Sequence, residues 1–266
     1  WTAFLETMGR LYKYPFHEQL MIFAQKPNAT ACADYDLWNK QMGRYVRRGT
    51  KGIALIDTSG DNPRLKYVFD VSDTGGKENS RRLNLWEYKD EHQDAVTAAL
   101  ENRYGVSGEK GLADQLEQIA SKLVTEYWND NSRDILGILA DSFLEEYDEL
   151  NIEVAFKNAG ANSVSYTMYC RFVESPDNYF EHEDFQKVFD FNTRQTVNAL
   201  GTAVNAISTR MFQEIEKAIG EHEQIKATER STDYERDDLQ TGRRLSDSEP
   251  SVGERGRETS GQVRQD

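Results

Sequence analysis

The sequence predicts an α+β fold: a small N-terminal helix-plus-antiparallel-sheet domain, then an all-α domain and a disordered C-terminal tail. Three observations predict it. Apolar residues keep helical spacing to about residue 42, and then shift to alternation between Tyr45 and Val71. Beyond residue 84 the apolar spacing is helical throughout, and after about residue 222 apolar residues become sparse. The expected boundaries are therefore 1–72, 84–221 and 222–266, with residues 72–83 as a polar loop.

Taken in order, Trp1, Phe4, Leu5, Met8, Leu11 and Tyr12 make a first helix over 1–14, with Thr2 as a possible cap and Pro15 as its end. Residues 16–25 make a second, closed before Pro27. Residues 34–42 make a third, with Asp34 at its N-cap and Gly43 just past its end. Tyr45-Val46 is short and extended, and Arg47–Gly52 is a basic turn punctuated by Gly49 and Gly52. Ile53–Ile56 reads as a buried strand. Leu65–Val71 alternates and reads as another, reached through the turn at 59–63. Further helices are expected at 88–104, 111–129, 133–147, 161–173 and 193–220. The last starts at Asn192 or Thr193 and carries Val197, Leu200, Val204, Ile207, Met211, Ile215 and Ile219 on one stripe. Lys187–Phe191 is a possible extended patch. The tail holds too few apolar residues to offset its ordering entropy.

Among 266 residues, 38% are hydrophobic, 29% are charged and the net charge is −14. That total argues against a simple DNA coat, but it is uneven. Residues 1–70 carry ten Lys/Arg and seven Asp/Glu, a net of +3, and the remainder carries −17. Only the front suits a phosphate backbone. No run of about 18 apolar residues is present, so no membrane span is expected. No secretory leader is visible. Cys32 and Cys170 suggest reduced thiols in a cytoplasmic protein. The start at Trp1 and the polar end suggest a piece of a larger polypeptide.

The densest chemistry lies at Trp38, Lys40, Arg44, Tyr45, Arg47, Arg48 and Lys51, where cations alternate with aromatic residues. Cations neutralise phosphates, and rings stack on unpaired bases. The alternative is a solvated turn whose arginines pair with Asp34, Asp36 or Asp57, with Trp38 and Tyr45 in the core. His17-Glu18-Gln19-Leu20-Met21 looks like half of a zinc-protease helix, but Met21 stands where the second His is needed. Glu181–Asp184, around His182, reads as surface. No phosphate-binding loop, dinucleotide fingerprint or nucleophile elbow occurs. No catalytic residue, metal or cofactor is assigned.

The segment Tyr14–Asp57, YPFHEQLMIFAQKPNATACADYDLWNKQMGRYVRRGTKGIALID, resembles the N-terminal domain of ArdC-type antirestriction proteins. In that family a Trp- or Tyr-bearing helix ends in Gly, and a V-x-K/R-G-x-K-G turn and a strand follow. Here these are Trp38 to Gly43 and Val46 to Gly52. LYKYPFHEQLMI, VFDVSDTGG, YFEHEDF and the GQVRQD tail extend the likeness to the leading region of large SNF2-like helicase and adenine-specific DNA methylase proteins of Firmicute conjugative elements. The resemblance implies binding of DNA, single-stranded in preference to duplex. Trp38 and Tyr45 would stack bases, and Arg44, Arg47, Arg48 and Lys51 would hold phosphates. It also implies downstream domains of the same polypeptide as partners. Asn162–Thr167 is similar to the E-S-V-A-Y-V segment of related metallopeptidase-like domains, with Asn162 in place of the zinc-binding Glu. The helical half would then be a degenerate, metal-free zincin-like domain.

Overall fold

The computed structural model describes residues 1–246 apart from 61, 77, 79, 82, 84 and 173–175, with side chains described to residue 229. The architecture is α+β, as the apolar spacing predicts. Helices α1 (Thr2–Arg10) and α2 (Phe16–Gln25) lead into strands β1 (Cys32–Asp34), β2 (Arg44–Val46), β3 (Ile53–Asp57), β4 (Arg64–Asp70) and β5 (Thr74–Gly76). Helices α3 (Gln93–Tyr104), α4 (Leu112–Leu136), α5 (Glu149–Tyr169) and α6 (Arg194–Ser246) follow.

The strands form two small antiparallel sheets, β1-β4-β3 and β2-β5. Alternation of side chains along a strand sets what each face meets. Ile53, Leu55 and Val68 are buried in a small core with Leu11, Ile22 and Ala29, covered by α2. Their alternates Ile56, Leu65 and Tyr67 lie on the other face and are exposed. Ile56 pairs with Leu65, and Ala54 with Tyr67, so these residues share one side.

The larger core is helical. It gathers Leu100, Leu116, Ile119, Trp128, Phe156, Val164, Tyr166, Leu200, Met211 and Phe212, and it also takes in Phe4, Leu5, Met8, Tyr12 and Phe16 from the front of the chain. Trp1 Nε1 donates to Ser163 Oγ at 2.8 Å, and α1 lies against α5. Gln19 Nε2 donates to Asn205 Oδ1 at 2.9 Å, tying α2 to α6. The expected break between residues 72 and 84 therefore does not separate two cores. Trp1–Gly220 is one compact unit, and a second begins at Glu221, where the composition changes.

Several element boundaries differ from those read in the sequence. The segments 111–129 and 133–147 are one helix as far as Leu136, because Trp128 and Ile135 are buried on either side of the polar run 129–133. A short 3-10 turn, Phe143–Glu146, then leads to α5, which begins at Glu149 rather than at 161. The third expected helix is present over 35–41, α-helical at 35–36 and a π-helical turn across Leu37–Gln41, directly after β1 ends at Asp34. Asp34 does cap that turn, accepting from Leu37 N at 2.7 Å, and Gly43 follows it with φ 64. The polar loop at 72–83 contains β5. Lys187–Phe191 is not extended: His182–Asp190 is a run of 3-10 helix. Thr193 caps α6, its Oγ1 accepting from Thr196 N at 3.2 Å. Within the second unit the α6 backbone stays helical to Ser246, past the expected start of the tail at 222, and residues 247–266 lie outside the described residues.

Candidate nucleic-acid interface

The seven residues singled out in the sequence fall on the π-helical turn, β2 and the loop from β2 to β3. The structure divides them. Trp38 is a core residue, 1% exposed, and its Nε1 donates to the Phe69 carbonyl at 2.8 Å. Its ring is closed to any ligand, so it cannot stack a base; its place on a turn packed against β1 and β2 draws it inward. Lys40 is exposed but pairs with Asp36 at 2.7 Å, one helical turn away. Asp36, which the salt-bridged alternative gave to an arginine, thus holds a lysine instead.

The remaining five form a surface. Arg44 Nε donates to Thr74 Oγ1 at 2.7 Å, which anchors β2 to β5. Arg47 reaches the Ser72 carbonyl through Nη1 at 3.1 Å, and its backbone N–H donates to Asp73 O at 2.9 Å. Thr50 N donates to Arg47 O at 3.1 Å and closes the turn, with Gly49 at φ 86 inside it. Arg48 and Lys51 are exposed and form no hydrogen bond or ion pair with another described residue. None of the three guanidinium groups pairs with a described carboxylate. Asp34 is engaged as a cap, Asp73 pairs with Lys26 at 2.7 Å, and Asp57 accepts from Ser59 N at 3.0 Å.

Tyr45 is 48% exposed and pairs with Gly75 across β2-β5. The hydroxyl end of its ring lies close against that glycine: a Cβ there would sit 2.4 Å from Tyr45 Cζ and 2.6 Å from its hydroxyl oxygen. Gly75 thus leaves room for the ring, and about half of Tyr45 is left to solvent. The sequence pattern alone did not single out Tyr67, which is 51% exposed on the uncovered sheet face. Its Cβ lies 3.2 Å from where a side chain on Gly52 would begin, so Tyr67 borders the Lys51-Gly52 end of the basic turn. The signal was present: apolar residues occupy both phases of the Leu65–Val71 alternation, so one set had to face outward.

The other sequence candidates are structural. His17 is exposed on α2, while Met21 packs against the smaller core. Asn162, in the place of a zinc-binding Glu, donates its amide to the Asp184 carbonyl at 2.7 Å. Burial, and then the charge of Asp70, pushes the Cys32 thiol up to about 12. Burial, and then Glu6, does the same for Cys170. Neither thiol is ionised near neutrality, so neither is an activated nucleophile. No protein-family model, curated protein or solved structure matches the chain.

Proposed function

We propose that the surface around the Arg47–Lys51 turn binds single-stranded DNA, and that the chain is a non-catalytic accessory module of a larger mobile-element DNA-processing protein. One observation carries the reading: Arg47, Arg48 and Lys51 face water without a described carboxylate partner, between the exposed rings of Tyr45 and Tyr67. Cations spaced along a turn suit a phosphate backbone, and flanking rings suit unstacked bases, which a duplex keeps out of reach. The likeness to the ArdC-type turn adds to it. Trp38 leaves the set of contact residues and Tyr67 enters it.

Fluorescence anisotropy of the whole chain with a labelled oligonucleotide tests this. The triple variant Arg47→Glu/Arg48→Glu/Lys51→Glu should weaken binding and flatten the salt dependence by about two in log–log slope, at ~0.7 for each phosphate no longer neutralised. Tyr45→Ala and Tyr67→Ala should each cost ~1–3 kcal/mol if each stacks one base. Binding that the triple variant leaves unchanged would exclude this surface.

A second reading, an acidic protein-interaction or antirestriction module, is favoured by Phe143 and Phe189. Both are more than 60% exposed, on two 3-10 segments that touch and that carry Glu145, Glu146 and Glu183. Pull-down with Phe143→Ser/Phe189→Ser as the control separates it: a partner retained equally by both proteins would not be using this surface.

A further inference from the structure

Away from the basic turn, a recess opens between the end of α1, the segment that follows α2, and the chain at Leu85–Tyr88. Two neighbouring cavities share part of their lining there. The inner one is about 140 Å³, close to the size that admits a single benzene-like ring. Tyr12, Tyr14 and Trp86 supply its aromatic walls. The outer one is wider, about 430 Å³, and shares Arg10, Thr30, Leu85, Trp86 and Arg171 with the inner. Glu87 and Tyr88 line its far side.

Of the two arginines that line both, Arg10 is already engaged: it donates to the Thr7 hydroxyl and to the Pro27 and Ala29 carbonyls, and it lies 3.7 Å from Glu6. Arg171 stacks on Trp86, its Cζ 3.7 Å from the ring, and donates through Nη2 to the Trp86 carbonyl at 2.6 Å. It is half-buried and forms no salt bridge with a described residue. The carboxylate of Glu216 at the inner wall is already satisfied by Lys13 at 2.8 Å and by the Tyr12 hydroxyl at 2.6 Å. Trp86 Nε1 donates to that same hydroxyl at 3.0 Å. The Tyr12 and Trp86 rings are thus fixed by hydrogen bonds, and the Arg171 guanidinium lines both the ring-sized cavity and the wider one. A guanidinium so placed favours a phosphate, which takes its parallel N–H groups in pairs. The carboxylate of Glu87 accepts from hydroxyl donors such as those of a ribose.

We propose that this recess binds a pyrimidine nucleoside monophosphate, with the base in the inner chamber, the phosphate at Arg171, and the sugar toward Glu87. The site is independent of the basic turn and stands whether or not that turn binds DNA. The ligand is either a free nucleotide or the 5′-phosphorylated end of a strand.

Titration calorimetry of the whole chain with 5′-uridine monophosphate, uridine and inorganic phosphate tests it. The nucleotide should bind with a Kd under ~1 mM, and uridine and phosphate each at least about tenfold more weakly. Arg171→Met keeps the stem and removes the charge, and should weaken the nucleotide about tenfold or more. Leu85→Glu, on an exposed rim residue, leaves the core untouched and should weaken it similarly by repelling the phosphate. The Arg47→Glu/Arg48→Glu/Lys51→Glu variant should bind the nucleotide as the parent does. Competition by a 5′-phosphorylated oligonucleotide identifies a strand end as the source, and lack of competition identifies the free nucleotide. No nucleotide binding, equal affinity for uridine and its monophosphate, or indifference to Leu85→Glu would overturn the assignment.

Discussion

Asp70 is the residue that joins β4 to the segment before β1. It is fully buried, and its carboxylate accepts from Thr30 N at 2.7 Å, Ala31 N at 3.0 Å and Ser72 N at 2.9 Å. Burial alone raises its pKa, but the hydrogen bonds from Ser72, Ala31 and Thr30 outweigh burial and hold it below the ordinary value. A depressed folded pKa means stability that is present above the unfolded value of ~3.9 and lost as pH falls through the lower folded value. Asp70→Asn should cost ~1–3 kcal/mol at neutral pH and make the acid limb of the stability curve shallower, as read by urea unfolding from pH 7 down to acid. Gly75 makes a different prediction. Gly75→Ala should displace the Tyr45 ring and lower oligonucleotide affinity about as much as Tyr45→Ala does, with little effect on nucleotide binding in the recess. At this scale the sequence disclosed residue types but not their exposure. Trp38 and Tyr45 look equivalent as aromatics beside cations; only the packing of the π-helical turn separates a sealed ring from an open one.

Among the elements, periodicity placed α1, α2, β3, β4 and the first part of α6 within a few residues. It failed where local propensity opposes tertiary packing. Asn158, Gly160 and Asn162 weaken the helical pattern before residue 163, yet α5 starts at Glu149. Gly160 is there for closeness: a Cβ would meet Val124 Cγ1 at 2.9 Å, so α4 and α5 approach over it. The short strands β1 and β5 have three residues each, too few for alternation to show; β1 pairs with the longer β4, and β5 with the equally short β2. Gly201 is a sharper case of close approach. Phe16 of α2 packs on it so tightly that a Cβ would lie 2.1 Å from the ring. An exposed Gly→Ala change in a helix gains up to ~1 kcal/mol, but here overpacking of about 1–3 kcal/mol should prevail. Gly201→Ala should therefore lower the unfolding midpoint, and adding Phe16→Leu should restore part of it.

For the molecule as a whole, composition pointed to two folded domains because the sheet region and the helical region each carry their own period. What it could not reveal is that one apolar stripe of α1, with Phe16 of α2, is spent on the helical core rather than on the sheet. Among the described residues the smaller core gathers six buried apolar residues, three of them on strands, with Trp38 buried on the π-helical turn as well. A piece of about 75 residues with so small a core is marginal at best. Residues 1–76 expressed alone should show no cooperative unfolding transition by circular dichroism, so the DNA-binding measurements belong on the whole chain.

Because Phe4, Leu5, Met8 and Phe16 plug a socket made by α5 and α6, the link between β5 and Trp86 need not be covalent for the architecture to assemble. Residues 1–76 and 85–229, produced as two separate polypeptides, are each left with a mismatched apolar surface whose complement is the other. Mixed together, they should reconstitute a heterodimer on size-exclusion chromatography, and Leu5→Asp in the smaller one should abolish the reunion.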